Sequence, residues 1–258
     1  MDSQSLLSIG IKYGLCIGGY MLLHFAINRR LRSRFTNNDK TGGKRSTTEW
    51  YVIHAIGNGL ITVLTVKDLI QTTIDPIHSF GNIDDLSSLT NYRSYPVILM
   101  SSMHLYHIIM YFRQMQPIDW IHHLVSGGVV GSLCIFYITG SVVNHGLFFM
   151  CGLPGGIDYF LLVLSDLGLI DRITEKRINR YLNMYIRLPG VLFNCYAGLV
   201  YYLYTDPYPY SLALGSMIFM LDAWNAIYFA QRVVENYGAA NLSKRERSIK
   251  SSNHPHLQ

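Results

Sequence analysis

Apolar runs close to the ~20 residues that a helix needs to cross a bilayer recur along the whole chain. They occupy residues 5–28, 49–71, 95–113, 119–140, 143–170, 180–204 and 210–236. Only 14% of the 258 residues are charged, whereas a soluble domain carries roughly 25%. The pattern predicts an all-α fold, a multi-pass membrane helical bundle with seven transmembrane helices. Pro154, Gly155 and Gly156 fall inside the fifth run and predict a break or kink there. The first run contains Lys12, is followed by Arg29-Arg30-Leu31-Arg32, and ends without a small-residue cleavage site. It reads as a retained helix and not as a signal peptide.

Charge distribution predicts the orientation. Residues 29–48, 113–118 and 171–179, the C-terminal tail and the adjoining helix ends hold all but Lys12, Lys67, Arg93 and Arg187 of the 21 Lys and Arg residues. The opposite loops carry Asp75, Asp84, Asp85 and Asp206, with Arg93 as the one clear base. This positive-inside pattern puts the C-terminus in the cytosol and the N-terminus outside or in a lumen. The net charge of +5 lies beside membrane spans, so anionic lipids fit it better than nucleic acid.

Three regions follow. Residues 1–44 form a first helix and a basic linker. Residues 45–240 form a six-helix membrane unit whose first helix starts at the capping-box sequence Ser46-Thr47-Thr48-Glu49. Residues 241–258 form a basic, disordered tail. Residues 72–94 make the long outer loop, and 206–210 a tight aromatic turn. Cys16, Cys134, Cys151 and Cys195 all lie in apolar runs, without metal-like spacing, and read as small buried hydrophobes. Gly127, Gly128 and Gly131 allow close helix packing, within the bundle in preference to a homo-oligomer.

Ionisable residues inside a membrane are costly and mark functional sites by default. His122 and His123 open the fourth run. His54, His107, Arg187, Asp222 and Asn225 fall at a similar depth in four other runs, on the cytosolic side. His104 lies one turn from His107 on the same face. Asp158 is near the middle of the fifth run. Separately, these residues have ordinary readings: an interhelical hydrogen bond for His54, an ion pair between Arg187 and Asp222, helix–helix contacts for Asn183, Asn194 and Asn225, an interfacial location for the His pair. Together they predict a polar chamber open to the cytosol.

Imidazole sets the chemistry of such a chamber. A neutral histidine serves as general base or as nucleophile toward an acyl group. Adjacent helical residues point about 100° apart, so one of His122 and His123 reacts while the other orients or packs. Asp119 is the expected N-cap of their helix. A metal site is the chemical rival, but His104-Leu105-Tyr106-His107 and the isolated His pair lack the HxxxH and HxxHH intervals of membrane di-iron oxygenases. No metal or other cofactor is expected.

The spans, the His pair after a short turn and the acid in the next helix resemble the TLC family, which includes ceramide synthases and translocon-associated proteins. The resemblance covers residues 45–240 and rests on Trp50, His54, His104, His107 and Asp119 to His123. It implies lipid metabolism, membrane-lipid partners and the endoplasmic reticulum or a related endomembrane. In ceramide synthases a His-Asp step and a further Asp follow the pair by roughly thirty residues. Here that stretch reads Cys151-Gly152-Leu153-Pro154-Gly155-Gly156-Ile157-Asp158-Tyr159. Asp158 matches the later Asp and the His-Asp step is missing. The first expectation is therefore a divergent TLC-domain protein that binds, senses or transports lipid, with His54, His104, His107, Arg187, Asp222 and Asn225 lining its chamber. The second is an acyltransferase that uses acyl-CoA as co-substrate, with His122 or His123 reacting and Asp158 orienting. A metal-dependent lipid oxidoreductase ranks third.

Overall fold

The computed structural model describes residues 3–31, 39–81, 92–136, 140–204 and 212–253. All regular structure among them is helical. Helix α1 spans Ser3–Leu31, α2 Asp39–Ile74, the short α3 Pro76–Gly81 and α4 Tyr95–Tyr111. Helix α5 (Pro117–His122) runs through a π-helical stretch (His123–Val130) into α6 (Gly131–Phe136). Helix α7 (Ser141–Leu147) joins α8 (Leu153–Asp166) through a π turn at Phe148–Gly152. Helix α9 (Arg172–Leu182) joins α10 (Leu188–Tyr204) through a second π turn at Asn183–Arg187. Helix α11 spans Leu212–Asn253.

Helical runs at Leu6–Leu31, Thr47–Ile74, Pro117–Ile135, Ser141–Asp166 and Ala213–Glu246 are long and apolar enough to cross a membrane. These 5 are the supported candidates among the described residues. The expected spans at 95–113 and 180–204 fall outside that set. Helix α4 has 17 residues, and 180–204 begins on the polar α9 before the 17 residues of α10.

Both π turns have the same local cause. Each ends one residue before a Leu-Pro-Gly, at Leu153-Pro154-Gly155 and at Leu188-Pro189-Gly190. Proline lacks the N–H for the regular ladder and its ring crowds the carbonyl four residues back. The wider turn relieves that crowding, and Leu153 and Leu188 donate instead to Phe148 and Asn183. The kink expected at Pro154 is thus a widened turn in a continuous helix.

Several boundaries differ from the sequence expectation. Helix α2 starts at Asp39, so the division at 44/45 and the helix start expected at Ser46–Glu49 both fall inside it. Thr48 instead donates to Asp166 Oδ2 at 2.9 Å and ties α2 to α8. Asp119 is the third residue of α5 and not its N-cap; its Oδ2 accepts from the Gln116 N–H at 2.9 Å. Residues 241–253 are helical, not disordered, because the good helix formers Ala239, Ala240, Lys244, Arg245 and Glu246 prolong α11. The expected turn at 206–210, the centre of the outer loop at 82–91 and residues 254–258 lie outside the described residues.

The helices pack in a row that curls on itself. The π-helical stretch and α6 pack on α4, α4 on α2, α2 on α7 and α8, α8 on α9, and both α9 and α10 on α11. Among the described residues no packing of comparable extent joins the Pro117–Phe136 rod to α11, and the His122 and Phe229 rings meet edge-on across this looser seam. Close approaches use glycine. A Cβ on Gly155 would lie 2.7 Å from Asn58 Nδ2, and one on Gly127 2.6 Å from His104 Cβ. The Pro154-Gly155-Gly156 stretch therefore serves α2–α8 packing at the place where the family resemblance predicts His-Asp. Gly127 and Gly131 face α4 inside the bundle, while Gly128 has open space.

Helix α1 lies outside the ring against α4 and α2. Lys12 donates to Ser94 Oγ at 3.1 Å, and Tyr20 donates to the Leu99 carbonyl at 3.2 Å. His24 Nδ1 meets the hydroxyls of Tyr106 and Tyr111 at 2.9 and 3.3 Å. Such docking has no periodic signature in the sequence.

Candidate functional site

The ring encloses a cavity of about 550 Å³, within the range of roughly 300–1,000 Å³ usual for small-molecule sites. His54, His104, His107, His122, His123, Asp158, Arg187, Asp222 and Asn225 all line it. Helices far apart in sequence thus bring every candidate residue to one space. Apolar groups such as Ile121, Val125, Trp224 and Phe229 complete the wall.

The histidines divide into a stack and a pair. Trp50 and His107 stack at 4.4 Å, His107 and His54 at 4.4 Å, and His54 and Tyr159 at 4.1 Å between ring centroids. Trp50 and His54 share one face of α2, and His54 Nδ1 donates to the Trp50 carbonyl at 2.8 Å. That bond leaves Nε2 of His54 as an acceptor. His107 is buried, and neither of its ring nitrogens has a partner.

His104 Nδ1 and His123 Nδ1 lie 2.6 Å apart. One of the two nitrogens must carry the hydrogen and the other must accept it. The donor ring then keeps a basic Nε2, and the acceptor ring keeps an Nε2–H. Gly127 makes this contact available, since a side chain there would displace His104. His123 is buried. His122 has only the Ser126 hydroxyl near its Nδ1, at 3.4 Å, and its ring meets Phe229 edge-on at 5.8 Å. The π-helical stretch begins at His123. A wider turn rotates successive side chains less than an α-helix does, so both histidines face one cavity.

Asp158 was expected to orient the His pair, and it does not. No hydrogen bond joins it to His122 or His123, and His104 fills that role. Asp158 lies on α8, which packs toward α9, and its Oδ1 is buried without a partner. The ordinary ion-pair reading of Arg187 and Asp222 also fails among the described residues. Arg187 instead donates to Asn183 Oδ1 at 3.3 Å and lies 5.3 Å from the Phe229 ring centroid. Asn194 acts as a helix–helix contact, 2.9 Å from His145 Nδ1. No group of three His, Cys, Asp or Glu side chains converges as a metal set among the described residues.

Sequence reasoning missed a second polar cluster. Asp68 on α2 is fully buried and pairs with Arg93 Nε at 3.2 Å. Asn144 on α7 donates to Asp68 Oδ2 at 2.6 Å and to the Arg93 carbonyl at 3.1 Å. The signal was available in the acid itself, which sits in an apolar run with a lone arginine across the next loop.

No family model, curated protein or solved structure matches the chain. The chemistry of the cavity rests on its own residues. It combines an apolar wall, histidines with free ring nitrogens, a guanidinium, and two carboxyl groups that form no ion pair with it.

Proposed function

We propose that this chain is a seven-span membrane protein that binds, senses or transports a lipid in the chamber lined by the histidines, Arg187 and Asp222. On this reading α4 and α10 cross the bilayer with the five longer helices. At ~1.5 Å per residue their 17 residues reach about 25 Å, the short end of what spans require. The protein is a divergent TLC-domain protein of the endoplasmic reticulum or a related endomembrane, with its C-terminus in the cytosol and its membrane-lipid ligand entering through the seam between the Pro117–Phe136 rod and α11.

The observation that carries the reading is the convergence of all the candidate residues on one apolar-walled cavity beside the looser seam of the ring. Water-soluble ligands have no need of a side entrance among lipid-facing residues such as Ile118, Ile121 and Leu124, which are exposed. Native mass spectrometry of the protein released from nanodiscs tests it. A lipid retained by the wild type and lost on widening the wall with Phe229→Ala supports the chamber. A protein that emerges free of lipid, and takes up none on addition, overturns it. Glycosylation tags in residues 82–91 and at the C-terminus test the topology, with modification expected only in the former.

A second reading, an acyltransferase that uses acyl-CoA, is favoured by the His104–His123 contact at 2.6 Å, which leaves a basic ring nitrogen for a proton. New acylated lipid on incubation with acyl-CoA, lost in His122→Ala or His123→Ala, would establish it. An unchanged lipid profile in all three proteins would remove it.

A further inference from the structure

Arg187 is a half-buried cation of the cavity. Its one strong acceptor among the described residues is Asn183 Oδ1, at 3.3 Å from Nη1. Its Nη2 points at the thioether of Met150 at 3.9 Å, and Asn225 Nδ2 points at the same sulfur at 3.5 Å. A thioether is a weak acceptor. Two strong donors on different helices therefore converge on an atom that satisfies neither. Arg187 Nε and Asn225 Oδ1 are buried with no partner at all. Asp158 and Asp222 line the same cavity, and among the described residues neither forms an ion pair with the guanidinium, although Asp158 is near enough to attract it. An arginine stays charged in a protein, and a charge partly withdrawn from water without a close counter-ion is costly.

We infer that Arg187 and Asn225 form the seat of an oxyanion, and that the ligand of this chamber is a single-chain lipid ending in a carboxylate or a phosphate ester. The Met150 sulfur lies where an oxygen of the ligand would sit. The flexible methionine side chain can withdraw without cost to the backbone. The planar guanidinium then donates to two ligand oxygens side by side, with Asn225 Nδ2 as a further donor. The Phe229 ring holds Arg187 on one side and meets His122 edge-on. The headgroup so seated lies beside His122. The chain runs along Ile118, Ile121, Val125 and Trp224 toward the looser seam.

The proposal rests on the lipid-chamber reading and specifies its ligand. Its test uses the purified full chain in nanodiscs and competition for a fluorescent single-chain probe. Competitors share a hexadecyl chain and differ at the end group: palmitate, hexadecyl phosphate, hexadecanol and hexadecylamine. Wild type is expected to prefer an oxyanion to the alcohol by at least about tenfold, the effect of one charge-assisted bidentate contact. The better of palmitate and hexadecyl phosphate identifies the source. Arg187→Met and Asn225→Leu should lose that preference while hexadecanol still competes, and Arg187→Lys should be intermediate. Equal competition by the alcohol, a preference for the amine, or an Arg187→Met protein that keeps the preference overturns the oxyanion seat and leaves the chamber standing. Failure of every competitor and of the probe to bind wild type overturns both. Thermal unfolding of each variant, with Asn225→Leu as the second disruption, separates lost recognition from lost folding.

Discussion

Two polar clusters inside the same bundle are built on opposite principles. In the first, Asp68 and Arg93 meet at 3.2 Å and Asn144 bridges the carboxylate to the Arg93 backbone. In the second, Arg187, Asp158 and Asp222 share a cavity and none of them pairs with another. Opposite charges in a poorly solvated space attract strongly. They stay apart only where the fold holds them apart and something else compensates them. The first cluster therefore ties α2 to α7 and the Tyr92–Ser94 turn, and the second surrounds a cavity with its charged groups held apart.

The largest expected effect tests this contrast directly. Asp68→Ala removes the carboxylate beside Arg93, which keeps its bond to Gln71 Oε1 at 3.2 Å, and should cost about 3–5 kcal/mol, read from thermal or denaturant unfolding in detergent. The lower end is expected, since the Arg93 side chain is 17% exposed. Adding Arg93→Met should restore part of the loss. Asp222→Asn breaks no pair and should change stability by less than about 1 kcal/mol. Equal costs for Asp68→Ala and Asp222→Asn would erase the distinction between the clusters.

Next in size is the packing that shapes the second cluster. A Cβ at Gly127 meets His104 Cβ at 2.6 Å, whereas Gly128 has nothing within 4 Å. Gly127→Val should destabilise by about 1–3 kcal/mol through overpacking and should separate His104 from His123. Gly128→Ala should be neutral or stabilising by up to about 1 kcal/mol, from helix propensity alone. Unfolding of the two variants side by side checks this, and imidazole NMR shifts report the His104–His123 contact.

A smaller effect concerns the histidines. His104→Gln removes the partner of His123 Nδ1 and should cost about 1 kcal/mol. It should also make His123 more reactive toward diethyl pyrocarbonate, measured by peptide mass spectrometry. In the wild type His122 should react before His123, which is 4% exposed. The reverse order would mean that the π-helical stretch presents the two rings differently.

The smallest effect lies outside both clusters and serves as a control. Asp171 caps α9, accepting from Thr174 N at 2.6 Å. That backbone hydrogen bond holds its carboxyl below the ordinary value of 3.8. Because the folded value is the lower one, the stabilisation is complete above 3.8 and disappears as the pH falls further. Asp171→Ala should loosen the start of α9 slightly at neutral pH and match wild type near pH 2, by helix-specific hydrogen exchange, with no change in ligand preference.

Much of the helical layout was legible because hydrophobicity and helix breaking are properties of short segments. The widened turns sit where Pro154 and Pro189 require them. Boundaries were less legible. Thr48 looked like a cap because its sequence context is that of one, but its hydroxyl is taken by Asp166 from another helix. The candidate residues were identified by cost, since a polar side chain in an apolar run needs a reason, and they do line a single cavity. Their roles were not identified. His104 partners His123 because Gly127 lets two helices close up, and Asp158 is carried toward α9 by the α2–α8 contact at Asn58 and Gly155.

By itself, then, the sequence determined that the chain is helical, apolar enough for a membrane in several places, and marked by histidine, arginine and acid at matching positions. These follow from the amino acids and their spacing along one helix at a time. Which side chains meet was decided only in three dimensions. The separation of Arg187 from Asp222, the docking of His24 on Tyr106 and Tyr111, and the looser seam beside α11 depend on how the helices rotate and slide against one another. Contacts between distant residues set that arrangement, and even the adjacent His122 and His123 acquire different partners from it. The His pair therefore marked the cavity, and the fold separated its members into a paired ring and a freer one.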